Sequence, residues 1–85
     1  MNSLRDPYRR PTHPGAILRE DVLPALALSP VEFAERIGVS QRTMAEVLHE
    51  KSPLTPDMAY RLAVFLRTTP SSWLGMQEAW DNWAG

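Results

Sequence analysis

The 85-residue chain contains no cysteine, so neither a disulfide nor a thiolate metal site stabilises it. It also lacks any apolar run that approaches the length of a membrane span, and its first residues contain no apolar secretion-signal segment. A chain of this length buries one modest core. These absences predict a single, soluble, cytoplasmic domain that is stabilised by packing and by association between copies.

Basic residues are too few to give a net positive charge, since the formal net charge is -1. That balance disfavours a nucleic-acid binder unless the charges are unevenly distributed, because phosphate contacts need local positive potential. The distribution is mildly uneven. Three arginines lie within the first ten residues, and Arg42 and Lys51 lie near the middle. The only charged side chains of the last stretch are Glu78 and Asp81.

Groups that perform chemistry are sparse as well. His13 and His49 are the only histidines, and no cluster of Asp, Glu or Cys accompanies either, so no metal site is expected. Acidic pairs such as Glu20-Asp21 fit the solvated faces of amphipathic helices, and no nucleophile, phosphate-binding glycine loop or cofactor motif is present. The sequence predicts a protein that is not an enzyme and that uses no cofactor, metal or small-molecule substrate.

Proline, by contrast, is abundant and marks helix starts. Pro14, Pro30, Pro56 and Pro70 stand where the first turn of a helix accepts a residue without an N–H. Serine or threonine precedes three of the four as an N-cap, and Ser29 with Glu32 matches a capping box. We expect an all-α fold with helices at about 14–23, 30–37, 41–49, 56–67 and 70–83, with residues 1–12 forming a basic arm and 13–85 the folded domain.

The run PVEFAERIGVSQRTMAEVL carries the functional interpretation. Its short helix, tight turn and second helix have the layout of a helix-turn-helix. Ala34 is small where the two helices cross, Gly38 accepts the positive φ of the turn, and Val39 points toward the core. Met44 and Val47 pack the second helix against the first. The alternative is an ordinary helical bundle whose exposed polar residues are merely solvated.

This packing leaves the outward face of the second helix free to enter a DNA major groove. In its first turn Gln41 suits adenine and Arg42 suits guanine, while Glu46 either accepts from cytosine or is a solvated glutamate. Contacts to phosphate set the register without reading sequence. The remaining DNA-binding candidates are the N-cap Ser40, the outward-facing Ala45, and the phosphate-contact candidates Thr43, Lys51 and Ser52.

The last helix carries an apolar stripe, Trp73, Met76, Trp80 and Trp83, at spacings of three, four and three. The stripe predicts a two-fold dimer interface, although Trp73 suits the core, and packing against the chain's own first helix is the alternative. We favour the dimer because two recognition helices one turn apart contact roughly 34 Å of duplex.

The runs HPGAILREDVLPALALSPVEFAERIGVS, TPDMAYRL and SSWLGMQEAWD resemble the HigA-type antitoxins of the wider lambda-repressor-like (XRE) class. The resemblance covers nearly everything from His13 to Asp81. It implies a five-helix domain and a homodimer that binds its own operator and neutralises a HigB-type, RelE-like toxin that cleaves mRNA. A stand-alone regulator without a toxin and a pure protein-binding module are the alternatives.

Two positions depart from that family pattern. The family usually has Asn-Gly after the recognition helix, where this chain has His49-Glu50. Glutamate in a left-handed C-cap costs roughly 1 kcal/mol, so we expect either that strain or a rebuilt loop. Pro30 stands where many relatives of the wider class have a phosphate-contacting glutamine, which puts that contact in doubt.

Overall fold

The computed structural model describes residues 10–83. Within them lie five helices: α1 (residues 14–26), α2 (Pro30–Ile37), α3 (Gln41–Leu48), α4 (Pro56–Leu66) and α5 (Pro70–Asn82). That part of the chain contains no strand, so the expected all-α, five-helix fold is confirmed. None of its helices is long and apolar enough to cross a membrane. The predicted basic arm lies outside the described residues except for 10–12.

The first helix runs past its expected end at residue 23 and continues through Pro24. Pro14–Ile17 and Leu23–Leu26 are α-helical, whereas Leu18–Val22 between them form a π-helical segment. Proline inside an α-helix lacks an N–H donor, and its ring clashes with the carbonyl four residues earlier. The wider π turn ahead of Pro24 accommodates both defects, so the helix continues past the predicted end at residue 23.

The cap-and-proline pattern forms as the sequence predicts. The side chains of Ser29, Thr55 and Thr69 each accept a hydrogen bond from the backbone N–H three residues later. The Glu32 carboxylate accepts from the Ser29 N–H at 2.9 Å, which completes the capping box. Hydrogen bonds from the Ser29 backbone and hydroxyl lower the pKa of Glu32. Each cap stabilises its helix by about 1 kcal/mol.

A single core joins the five helices. Its largest fully buried side chains include Leu18, Phe33, Met44, Met58 and Leu62, one or more from each of the first four helices. Trp73 of α5 packs into the same cluster, and Val39 of the turn lies against it partly buried. The two helices of the helix-turn-helix therefore pack against this core with their buried faces.

Candidate nucleic-acid interface

The turn between α2 and α3 has the predicted geometry. Gly38 ends α2 with a φ of 79°, and the N–H groups of Gly38 and Val39 donate to the carbonyl of Ala34 at 2.9 and 3.0 Å. Ala34 is fully buried at the crossing. Ser40 then caps α3 by accepting from the Thr43 N–H at 3.0 Å. A turn of only three residues, 38–40, thus separates the two helices and leads directly into the first turn of α3.

The two faces of α3 are clearly distinguished by burial. Met44, Val47 and Leu48 are buried against the core. The opposite side of the helix is exposed and carries half of the predicted DNA-binding residues, namely Gln41, Arg42, Thr43 and Ala45. The structure therefore brings the predicted base-reading and phosphate-contacting side chains of α3 together on one solvent-facing surface.

Polar contacts connect this surface to the loop that follows α3. The Arg42 Nε lies 3.4 Å from Glu46 Oε2, and the Ser52 hydroxyl donates to Glu46 Oε1 at 3.3 Å. The Ser40 hydroxyl donates to the Thr43 hydroxyl at 2.9 Å. The backbone N–H of the exposed Lys51 donates to the Glu46 carbonyl at 2.8 Å, so the loop folds back against the end of α3. All the predicted DNA-binding residues thus lie on α3, at its N-cap or in the folded-back loop.

The loop after α3 keeps the left-handed geometry, although it lacks the usual glycine. Glu50 has a φ of 63°, and its carboxylate receives the Arg19 guanidinium at 3.2 Å. Such a partly exposed ion pair contributes roughly 0 to 1 kcal/mol. The ion pair therefore offsets between none and all of the cost of about 1 kcal/mol that the left-handed conformation of Glu50 carries. Of the two expected outcomes, strain or a rebuilt loop, the structure shows the strained conformation.

Helix α1 fixes the position of α3 at two points. At Gly15 the helices touch backbone to backbone, since a Cβ added there would lie 1.9 Å from the Val47 carbonyl oxygen. Farther along, the Arg19 guanidinium donates to the carbonyl of Leu48 at 2.6 Å. Leu48 ends α3, where carbonyls lack partners within the helix, so Arg19 satisfies one of them. Sequence reasoning did not identify either contact.

Two further supporting residues were also missed. Gln77 is buried, and its Oε1 accepts from the Leu54 N–H at 2.8 Å, which ties the segment between α3 and α4 to α5. Arg61 of α4 donates to the Ile37 carbonyl at 3.1 Å, at the end of α2. Gln77 lies four residues after Trp73 and so shares its helix face, a spacing that would have indicated burial.

The tryptophan stripe of α5 is divided between the core and the surface. Trp73 is only 5 % exposed and its indole Nε1–H donates to the Thr68 hydroxyl at 2.8 Å. Trp73 was one of the predicted dimer-interface residues, but its burial places it in the core of its own chain and not at an interface. Met76 on α5 and Trp83, which directly follows the helix as its C-cap, are partly buried and remain accessible at the surface.

Trp80 packs against the segment that precedes α1. Its ring meets His13 edge-on, with centroids 5.2 Å apart, and the Arg10 guanidinium lies 3.6 Å from its centroid. Stacked cations of this kind are attracted by the electron-rich face of the ring. One side of the stripe is thus occupied within the chain, by residues that precede α1.

His13 is buried, and its Nδ1 accepts from the Gly15 N–H at 2.9 Å, which caps α1. Burial lowers the pKa of its imidazole below the ordinary 6.5, and the nearby Arg10 acts in the same direction. The carboxylates of Glu50 and Asp81 and a hydrogen bond with the Ser52 backbone oppose that change without reversing it. The imidazole is therefore held neutral at physiological pH.

A pH dependence of stability follows from the lowered pKa of His13. Well above pH 6.5, the ordinary value, the folded and unfolded states are both neutral at this residue and its contribution is complete. On acidification below that pH the unfolded state takes up a proton first, so the free energy of unfolding falls. We expect urea unfolding from pH 8 to 5.5 to show a smaller fall for His13→Asn, which keeps an acceptor for the cap. If the free energy of unfolding falls equally in wild type and in His13→Asn, the pH dependence comes from other titratable groups.

Comparison with known proteins places most of the chain among regulators and antitoxins, although no family model matches it. It is 36% identical over 75 residues to an HTH-type transcriptional regulator of Haemophilus influenzae, aligning 88% of this chain with 70% of that one. It is 32% identical over 80 residues to antitoxin HigA-1 of Vibrio cholerae, aligning 94% with 75%.

Solved structures give the same result. Antitoxin GraA superposes with a TM-score of 0.82 at 41% identity, covering 86% of this chain and 78% of GraA. The Pseudomonas aeruginosa antitoxin HigA, solved with the higBA promoter, superposes with a TM-score of 0.81 at 33% identity, covering 85% and 78%. In each case the likeness extends across the helix-turn-helix and the helices around it.

Proposed function

Because this chain belongs to the HigA-type family of helix-turn-helix antitoxins, we propose that it is the antitoxin of a type II toxin–antitoxin system and represses its own operon. The main support for repression by DNA binding is that the first turn of α3 is exposed, while the apolar side chains on the other face of the helix are buried in the core. A solved relative that contains promoter DNA supports this half. Both partners, operon DNA and an mRNA-cleaving toxin of HigB type, lie in the cytoplasm, where we place the protein.

In this proposal Gln41 and Arg42 read bases. The Arg42 side chain is 89% exposed and sits one residue inside the helix start, so its guanidinium extends into a major groove that receives α3. A guanidinium donates two hydrogen bonds to guanine O6 and N7, and an amide pairs similarly with adenine. Ala45, one turn after Gln41, allows close approach to the groove and contact with a thymine methyl group.

The remaining polar residues are assigned to the phosphate backbone. Ser40 and Thr43 lie at the N-terminus of α3, where unpaired N–H groups and the helix dipole favour an anion. Lys51 is exposed on the loop just beyond the helix and adds a positive charge. These contacts fix the register, and their number sets how steeply affinity falls with salt.

We assign the homodimer interface to α5, through the accessible parts of Met76, Trp80 and Trp83. The second candidate for the dimer interface is a surface of α4. Its residues Tyr60 and Val64 are large and apolar and yet 62% and 64% exposed. Sedimentation equilibrium of Trp83→Glu and Val64→Glu distinguishes the two surfaces. We expect only Trp83→Glu to become monomeric, and a monomeric Val64→Glu beside a dimeric Trp83→Glu would move the interface to α4.

The toxin half is tested by expressing the small open reading frame beside this gene, alone and together with this protein. We expect growth arrest in the first case, restored growth in the second, and a stable complex by size-exclusion chromatography. Arg42→Ala is the matched variant, because it removes a DNA contact from an exposed side chain and should restore growth equally well. If no neighbouring frame is toxic, the function becomes that of a stand-alone regulator without a toxin, and some relatives are named as transcriptional regulators.

A further inference from the structure

A chain of three side chains connects the recognition helix to the loop behind it. Arg42 contacts Glu46 through its Nε at 3.4 Å, and the other oxygen of Glu46 accepts from the Ser52 hydroxyl at 3.3 Å. The position of Ser52 is fixed independently, because its backbone N–H donates to the Glu46 carbonyl at 3.3 Å. Glu46 is thus supported by the loop on one side and holds Arg42 on the other.

The point of contact on Arg42 decides which donors remain. A guanidinium has five N–H donors, one on Nε and two on each Nη. Glu46 uses the Nε edge, so the two Nη groups that form the end of the fork stay available for a second acceptor. That end matches the two acceptors, O6 and N7, that guanine presents in the major groove.

We propose that Glu46 is a positioning residue for Arg42, holding the guanidinium so that its Nη end meets guanine, with Ser52 as the support for Glu46. This inference rests on the proposed DNA-binding function. A long side chain that is already oriented loses less conformational freedom on binding, and pre-organisation of this kind raises affinity without a new contact. The effect is confined to the base that Arg42 reads.

The same geometry disfavours Glu46 as a base reader. Both of its carboxylate oxygens already accept a hydrogen bond within the protein, which orients the carboxylate toward Arg42 and Ser52. A free carboxylate near phosphates also opposes DNA binding, whereas one paired with Arg42 is partly neutralised. The contact is too exposed to contribute much to folding, since the Arg42 side chain is 89% accessible.

The test measures preference at one base pair. Scanning the operator with wild type and Arg42→Ala first identifies the guanine that Arg42 reads. Binding is then measured to the operator and to the same fragment with adenine at that position. We expect Glu46→Ala to lower the guanine preference about three- to tenfold, Ser52→Ala to lower it about twofold, and Glu46→Gln, which keeps an acceptor, to retain most of it. The urea midpoints of these variants should match that of wild type.

An Arg42→Ala background separates positioning from direct reading. There, Glu46→Ala should leave base preference unchanged, because the side chain that it positions is gone. If Glu46→Ala still lowers the preference for a cytosine in the Arg42→Ala background, Glu46 reads that base directly and the inference is overturned. Equal strengthening of binding to all fragments by Glu46→Ala would overturn it too, since that is the effect of a solvated negative charge. If wild type binds no operator at all, the proposed function itself fails, which is a distinct result.

Discussion

Replacing Gly15 with alanine is expected to lower the free energy of unfolding by about 3 kcal/mol. The added Cβ would lie 1.9 Å from the Val47 carbonyl oxygen and 2.9 Å from the Val47 carbonyl carbon. Both are backbone atoms of α3, so no side-chain rotation relieves the clash. Helix α1 and the recognition helix must separate, which loosens the core between them and also weakens operator binding.

Gly75→Ala is the matched control for this prediction. Gly75 lies within α5, and a Cβ built there meets no atom within 4 Å. Alanine in an open helical position is more favourable than glycine by about 0.5 to 1 kcal/mol, so this variant should gain stability. Urea denaturation measures both variants. A loss below about 1 kcal/mol for Gly15→Ala would show that the backbone contact between α1 and α3 adjusts easily.

Arg42→Ala is expected to weaken operator binding by roughly 1 to 3 kcal/mol, or about 5- to 150-fold in Kd, without changing the free energy of unfolding. The side chain is almost fully exposed, so its removal leaves the core intact, whereas a bidentate contact to guanine is lost. Titration of a labelled operator fragment measures the change. Arg36→Ala removes the same charge from an exposed position on α2 and is the control. Equal losses in both variants would indicate general attraction to phosphate instead of base reading.

The helices could be predicted from the sequence because their ends are determined by local interactions. An N-cap and the N–H that it accepts from are three residues apart, so Ser29 with Glu32 reveals the start of α2 without any knowledge of the rest of the fold. The turn at Gly38 is similarly local. The end of α1 was predicted less well: the helix was expected to end at about residue 23, and the π-helical segment that lets α1 continue through Pro24 has no comparable sequence signal.

Contacts between distant segments could not be predicted in this way. Arg19 reaches Leu48, 29 residues later, and Arg61 reaches Ile37, 24 residues earlier; neither has a spacing that points to its partner. The periodicity of the α5 stripe predicted that its apolar side chains would be covered, but periodicity does not say by what. The structure covers Trp80 with Arg10 and His13 of its own chain.

The exposed face of α3 is the part of the candidate site that the sequence predicted best. Burial of every third or fourth residue fixes one side of a helix against the core, so the other side follows by geometry. The link from Arg42 through Glu46 to Ser52 was not foreseen as a unit, because it requires the loop after α3 to fold back. That fold depends on the left-handed conformation of Glu50.

A gel-shift titration of the wild-type protein with its own promoter and with a scrambled fragment of equal length, across a salt series, shows whether the first turn of α3 reads operator DNA. We expect binding to the promoter to be at least about a thousandfold tighter than to the scrambled fragment, with affinity that falls as salt rises. Equal affinity for both fragments, or no shift even at low salt, would contradict the claim that the first turn of α3 reads operator DNA.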